Sequence, residues 1–454
     1  MKSLLYKVIP SLLLKRIEGS VNLQKIISNT GWLFFDRIFR MGIGLFVGVW
    51  IARFLGPEQF GLLSYAQAFV ALFGAFAKLG LDGIVVRNIV REPDKKDQIL
   101  GTTFILKLFG GLVALIITGF IIYFIRPGDI FTLWLILIIA TGTLFQAFDS
   151  IDFWFQSQVI SKYTVYAKSV AFSTISILKI ILILLDSTLI FFALAALFEI
   201  IFGSILLVAA YRYKGFNIFD WKFQFTTAKT LLKDSWPLVL SGTMVMVYMK
   251  IDQIMLGQII DDRAVGLYTA ATRISEVWYF IPMAIVASAA PVLTKLKKDG
   301  NEEKYYQSLE KLFNIMLILG LAIALPMTLM SGAVIDLLYG KEFAPSSAVL
   351  SIHIWAAIFV FLGVVRGPWL LNEGLMKFAL ITTVLGAVVN IILNMIVIPI
   401  YGITGAAWTT LFSQFVASYL GNLLSPKTRI IFLMQTRAIT LLFLSKRLSN
   451  KENS

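Results

Sequence analysis

From about residue 30 to residue 425 the chain is a succession of apolar stretches, each long enough to cross a bilayer and most joined by short connections. In hydrocarbon every backbone N–H and C=O must be bonded within the protein, so a spanning chain is either helical or a closed barrel. A barrel needs segments of about ten residues with alternating polarity. Here the apolar runs are continuous, as in Leu133–Ala140 and Leu189–Phe198. The expected fold is all-α, an integral membrane protein of about twelve transmembrane helices. Composition agrees: 58% of the 454 residues are hydrophobic and 15% charged, against roughly 45–50% and 25% in soluble domains.

The spacing predicts spans at 30–52, 59–81, 99–125, 130–156, 163–185, 188–211, 234–257, 265–291, 312–331, 348–365, 378–399 and 403–425. Outside these spans, 28 Lys and Arg fall on the side of the N-terminus, and only Arg53, Arg126, Arg263 and Lys341 on the other. By the positive-inside rule both termini are cytoplasmic. The formal charge of +14 belongs to these loops and does not call for nucleic acid.

Six spans bring the chain back to its starting side, so a six-plus-six duplication has parallel repeats. Phe60-Gly61-Leu62-Leu63-Ser64 opens the second span and Val265-Gly266-Leu267-Tyr268-Thr269 opens the eighth, equivalent places in the two halves. The expected division is an N-terminal lobe at 1–215, with a basic amphipathic segment at 1–29, and a C-terminal lobe at 216–425. Residues 426–454 form a basic amphipathic tail, read as an interfacial helix because Arg437 would sit near the centre of a thirteenth span. The two lobes are two six-helix bundles.

Several chemistries are absent. There is no Cys and a single histidine, His353, which leaves no disulfide, thiolate or multi-His metal site. No G-x-x-x-x-G-K-[ST] motif occurs, and no loop is large enough for a separate catalytic domain. The chain is not expected to be an enzyme or to hold a metal.

Charges inside the spans cost several kcal/mol unless they pair or face water, and so mark a polar route through the bundle. Asp36, Arg37 and Arg40 fall within an arc of about 100° on the first span. Asp36 can neutralise one of the two guanidiniums and no more, which leaves a positive charge for an anion. Gln146, Asp149, Asp152 and Gln156 form one stripe on the fourth span, with Lys78, Lys107 or Lys168 as candidate partners. Lys78 and Lys168 lie near enough to the cytoplasmic surface, and Lys179 to the outer one, to snorkel. Lys107 is about 12 Å into its span.

Glu199 has no partner nearby in sequence and reads either as a proton carrier or as a neutral acid bonding a carbonyl. Lys250 and Asp252 point about 200° apart on the seventh span, so only one can face a given cavity. Arg273 and Glu276 share a face of the eighth span. Asn390 and Asn394 share a face of the eleventh and read as glue between helices.

Gly56-Pro57-Glu58-Gln59-Phe60-Gly61, Leu79-Gly80-Leu81-Asp82, Asp252-Gln253-Ile254-Met255-Leu256-Gly257 and Val265-Gly266-Leu267-Tyr268-Thr269-Ala270-Ala271 together resemble a known family. It is that of the bacterial flippases for O-antigen and exopolysaccharide repeat units. They share a superfamily with the multidrug and toxic-compound extrusion (MATE) transporters and the lipid II flippase. The resemblance covers residues 28–425 and implies a MATE-like fold in the cytoplasmic (inner) membrane. It implies transfer of undecaprenyl-pyrophosphate-linked oligosaccharide to the outer leaflet by alternating access. It also implies a cationic cavity, for which Arg37, Arg40 and Arg273 are the candidates by helix.

Pyrophosphate oxygens suit Arg clamps, so Arg37, Arg40, Lys250 and Arg273 are the expected headgroup ligands. Asp36, Asp149, Asp152, Glu199, Asp252 and Glu276 would hold these bases or couple transport. No cofactor is expected; H+ or Na+ coupling is the alternative to uncoupled transport. The expected partners are the lipid-linked oligosaccharide, membrane lipids, a polysaccharide polymerase and a chain-length regulator. The rivals are a cation-coupled multidrug exporter on the same fold and a membrane polymerase or ligase.

Overall fold

A computed structural model of the protein describes residues 21–452, with side chains from 28 to 440. Among these residues there are helices and short 3-10 turns, and no strand. Residues 1–20 of the amphipathic segment expected at 1–29 lie outside the described residues. From there α1 (Val21–Lys78) and α2 (Asp82–Arg91) precede α3 (Lys96–Ile125), α4 (Ile130–Phe145), α5 (Asp149–Ser157), α6 (Lys162–Leu184) and α7 (Leu189–Tyr213). The rest comprises α8 (Phe225–Ile259), α9 (Asp262–Val277), α10 (Phe280–Lys298), α11 (Glu302–Tyr339), α12 (Ser346–His353), α13 (Ala356–Asn372), α14 (Met376–Ser418) and α15 (Arg429–Glu452).

Ten helical stretches among the described residues are long and apolar enough to cross a membrane. Two of them hold two expected spans each. α1 is two helices merged across Gly56 (φ 69°, ψ 171°), and α14 is two merged across Gly402 (φ 61°, ψ −137°). Both glycines lie in the short connections read from sequence. At Gly56 the positive φ would strain any Cβ, and Pro57 behind it removes a backbone donor, so the chain turns there.

The chain divides into two compact units. The first runs as far as Gly48 and resumes over Phe73–Gly242; the second joins Val49–Leu72 to the residues from Thr243 onward. This is not the expected division. The break foreseen between 215 and 216 falls inside the first unit, and the turn of α1 groups with the second. The core of the first unit is built from Leu100, Ile151, Phe155 and Tyr211, on α3, α5 and α7. That of the second holds Phe313, Met316 and Phe361 together with Ile431 and Met434 of α15. Ile431, Met434, Gln435 and Ala438 are all buried and recur at helical spacing, so one face of the tail helix packs into this unit.

The duplicated glycines meet within the second unit. A Cβ on Gly61 would lie 1.7 Å from the carbonyl oxygen of Asp262, and one on Gly266 would lie 1.9 Å from that of Pro57. Each carbonyl precedes its own glycine by one helical turn, so the two copies of the motif make the same contact with each other. Only hydrogen fits at either place.

Candidate functional site

The first unit gathers charges from all six spans predicted in the N-terminal half. On α1, Arg40 Nε lies 3.3 Å from Asp36 Oδ1, which also accepts from Ser169 Oγ at 2.6 Å. Arg40 Nη2 donates to the backbone carbonyl of Lys168 at 2.8 Å, and its guanidinium lies 5.0 Å from the ring centre of Phe172. A guanidinium has donors enough for a carboxylate and a carbonyl at once. Arg40 therefore ties α1 to α6.

The fourth span is broken near its middle by a 3-10 turn, Gln146–Phe148, which holds the first residue of the stripe. Beyond that turn Asp149 and Asp152 open α5 one helical turn apart. Lys168 Nζ reaches Asp149 Oδ1 at 2.9 Å and Asp152 Oδ2 at 3.5 Å. Lys107, whose side chain is 1% exposed, stands 3.8 Å from Asp149 Oδ2 and 4.8 Å from the ring centre of Phe153. Asp149 is thus shared by two ammonium groups, two of the three partners foreseen for it.

A cavity of about 250 Å³ opens among these helices, with Arg40, Lys78, Gln146, Asp149, Lys168 and Glu199 on its wall. Glu199 is not the lone acid expected from sequence. Lys179 Nζ lies 2.9 Å from its Oε2, so it is one half of an ion pair between α6 and α7. Neither the proton-carrier reading nor the neutral-acid reading took that base into account. Lys179 bonds across the unit instead of snorkelling away. Three basic and two acidic side chains therefore line the cavity. Among the described residues no carboxylate stands within ion-pair distance of Lys78. Arg37 is exposed and is not on the cavity wall.

The second unit has a different chemistry. Asp252 is 4% exposed. Its Oδ2 accepts from Tyr268 OH at 2.8 Å and Thr410 Oγ1 at 2.5 Å, and its Oδ1 from Asn394 Nδ2 at 2.5 Å. Asn394 also donates to Asn390 Oδ1 at 3.1 Å and accepts from Thr409. Helices α8, α9 and α14 are joined by this network, which is what the two asparagines were expected to do. Among the described residues no basic group pairs with Asp252.

Lys250 occupies the other face of α8 and is half-buried. It and Arg273 are the basic charges that act on Glu276, opposed by the carboxylate of Asp252, and the Arg273 guanidinium lies 4.9 Å from the ring centre of Phe60. Among the described residues no group of three or more acidic or histidine side chains is placed to hold a metal. His353 is buried against Ser275, with Oγ and Nδ1 2.6 Å apart. Arg366 is a buried base that sequence reading passed over. It bonds Ala417 O, Asn422 Oδ1 and Thr382 Oγ1, all neutral acceptors.

Residues 26–297 match the family described as polysaccharide biosynthesis protein, and residues 237–396 match the MatE family. A capsular polysaccharide biosynthesis protein, CapF, of Staphylococcus aureus is 22% identical over 86% of this chain and 97% of its own length. The probable low-salt glycan biosynthesis flippase Agl15 of Haloferax volcanii is 24% identical over 87% of this chain and 83% of that protein. Among solved structures, an inward-facing multidrug resistance MATE family transporter superposes with a TM-score of 0.70 at 17% identity. It covers 88% of this chain and 95% of that one. That likeness is one of fold.

Proposed function

The chain belongs to the polysaccharide biosynthesis protein family, and we propose that it is a flippase for undecaprenyl-pyrophosphate-linked oligosaccharide repeat units. It moves them from the inner to the outer leaflet of the bacterial cytoplasmic membrane by alternating access, with both termini cytoplasmic. The observation that carries this reading is the cavity of the first unit. Its wall carries three basic and two acidic side chains, and among the described residues no carboxylate stands within ion-pair distance of Lys78. Such a surplus of positive charge attracts an anionic ligand.

In that cavity Arg40 binds the diphosphate, and Arg37, Lys250 and Arg273 are the further basic side chains proposed to meet the substrate. Asp36, Asp149 and Asp152 hold bases in place, Glu199 holds Lys179, and Glu276 answers Lys250 and Arg273. Asp252 is the coupling group. A carboxylate met only by hydroxyl and amide donors has its charge uncompensated, and a bound H+ or Na+ neutralises it. The basic cavity argues against the rival reading of an exporter for cationic drugs.

The test is export in cells that depend on this chain for surface polysaccharide. Arg40→Ala or Arg273→Ala should abolish surface glycan while the protein stays in the membrane at its normal level. Unaltered export rejects the assignment, and efflux of cationic dyes by the unmodified protein would favour the rival.

A further inference from the structure

The connection between α7 and α8 carries large apolar side chains outward, although it joins two spans by a stretch too polar to cross a membrane. Phe219 is 77% exposed, Phe223 51% and Phe225 74%, and Tyr213 at the end of α7 is 80% exposed. An aqueous loop does not ordinarily present so many rings together.

These rings are not carried on a slack tether. Asn217 caps the 3-10 turn Ile218–Asp220 by accepting from the Phe219 amide. The backbone then runs extended along the start of α3. Lys222 N donates to Asp97 O at 3.1 Å, and Gln224 N to Thr102 Oγ1 at 3.1 Å. Three Lys222 backbone atoms lie 2.6–2.9 Å from where a Cβ would sit on Gly101, so the strap lies flush against that helix.

Trp221 turns inward, its Nε1 donating to Tyr211 OH at 3.3 Å and its ring 5.6 Å from that of Phe104. While Trp221 is fixed inward, Phe219 in the 3-10 turn, Phe223 in the strap and Phe225 at the first turn of α8 all remain exposed.

The flanking charges are mostly basic: Arg212, Lys214, Lys222 and Lys229 against Asp220. Lys214 is partly engaged, its ammonium 4.4 Å from the ring centre of Tyr163, whereas Lys222 is exposed. Exposed aromatics beside free ammonium groups suit the layer where lipid headgroups meet acyl chains, and basic side chains there attract anionic lipid. The strap leaves one membrane helix at Tyr213 and leads into α8, whose predicted span begins at residue 234, so both of its ends are continuous with helices of the bilayer.

We propose that residues 213–225 form a rigid membrane-interface anchor: Phe219, Phe223 and Phe225 insert among the headgroups of the chain's own bilayer, and Lys222 and Lys229 engage anionic phosphates. A neighbouring protein is the other occupant that exposed rings could take. The inference rests on the chain's spanning a membrane and holds whatever the substrate is.

The chain has no cysteine, so single-cysteine variants can be labelled on the full-length protein. Phe219→Cys, Phe223→Cys and Phe225→Cys would carry nitroxide labels in vesicles of phosphatidylcholine with phosphatidylglycerol, with Lys304→Cys as an exposed reference. The proposal expects oxygen collisions to exceed those with a water-soluble nickel complex at 219, 223 and 225, and the reverse at 304. It also expects Lys222→Gln to reduce the contrast when anionic lipid is present. Labels at 219 and 223 as open to nickel as that at 304 would overturn it. So would shielding seen in native membranes and lost in pure lipid, which would point to a protein occupant.

Discussion

Lys168 and Asp149 form a 2.9 Å ion pair, and the second oxygen of that carboxylate faces Lys107 at 3.8 Å. One acid thus holds two bases from different helices beside a polar cavity. Removing Lys168 would leave Asp149 with the longer contact alone and Asp152 with no ion-pair partner. Lys168→Gln should therefore destabilise the protein by roughly 1–3 kcal/mol, since the pair is neither fully buried nor freely solvated. Pairing it with Asp149→Asn should recover part of that loss, because the charges are removed together. Thermal unfolding of the three variants in detergent measures the coupling; strictly additive losses would count against the shared-acid geometry.

Lys78 offers the opposite case. It has no ion pair to lose, so Lys78→Gln should change stability by no more than about 0.5 kcal/mol. On the flippase reading, export of the anionic substrate should fall at least severalfold, and Lys78→Glu should stop it. Surface glycan measured against membrane abundance separates the two effects. A Lys78→Gln protein that exports normally would remove this side chain from the substrate path.

At Asp252 the informative change is to asparagine, which keeps the shape and most of the hydrogen bonding while losing the charge. The variant should fold and reach the membrane. In vesicles with an imposed H+ or Na+ gradient, its glycan transport should no longer respond to the gradient, whereas the unmodified protein should. An undiminished gradient response in Asp252→Asn would exclude this carboxylate as the coupling group.

Either Gly61→Ala or Gly266→Ala places a methyl where a carbonyl oxygen already stands. Overpacking of that kind costs typically 1–3 kcal/mol. Both variants should unfold at lower temperature than the unmodified protein, while Gly42→Ala, with open space around its Cβ position, should not. Equal stability of all three would contradict the close crossing.

Much of the fold was legible because hydrophobic runs, turn residues and charge asymmetry are local signals. Gly56 and Gly402 fall inside the predicted connections, and each predicted span lies within or close to an apolar helix. The polar stripe with Asp149 and Asp152 was legible for the same reason, since helical phase places both on one face. What escaped was tertiary pairing. Lys179 meets Glu199 from the preceding helix, and nothing in one strand of sequence gives the rotation of α6 against α7. The grouping of 49–72 with the second unit is invisible for a like reason: chain order says which segments are joined, not which are packed. The direction taken by Asp252 was left open by its spacing from Lys250 and is decided by Tyr268, Asn394 and Thr410.

The reciprocal seating of Pro57 on Gly266 and Asp262 on Gly61 has one more consequence. Two backbones seated on each other in this way leave no room for a side chain at either position, so the closeness of the crossing rests on both glycines at once.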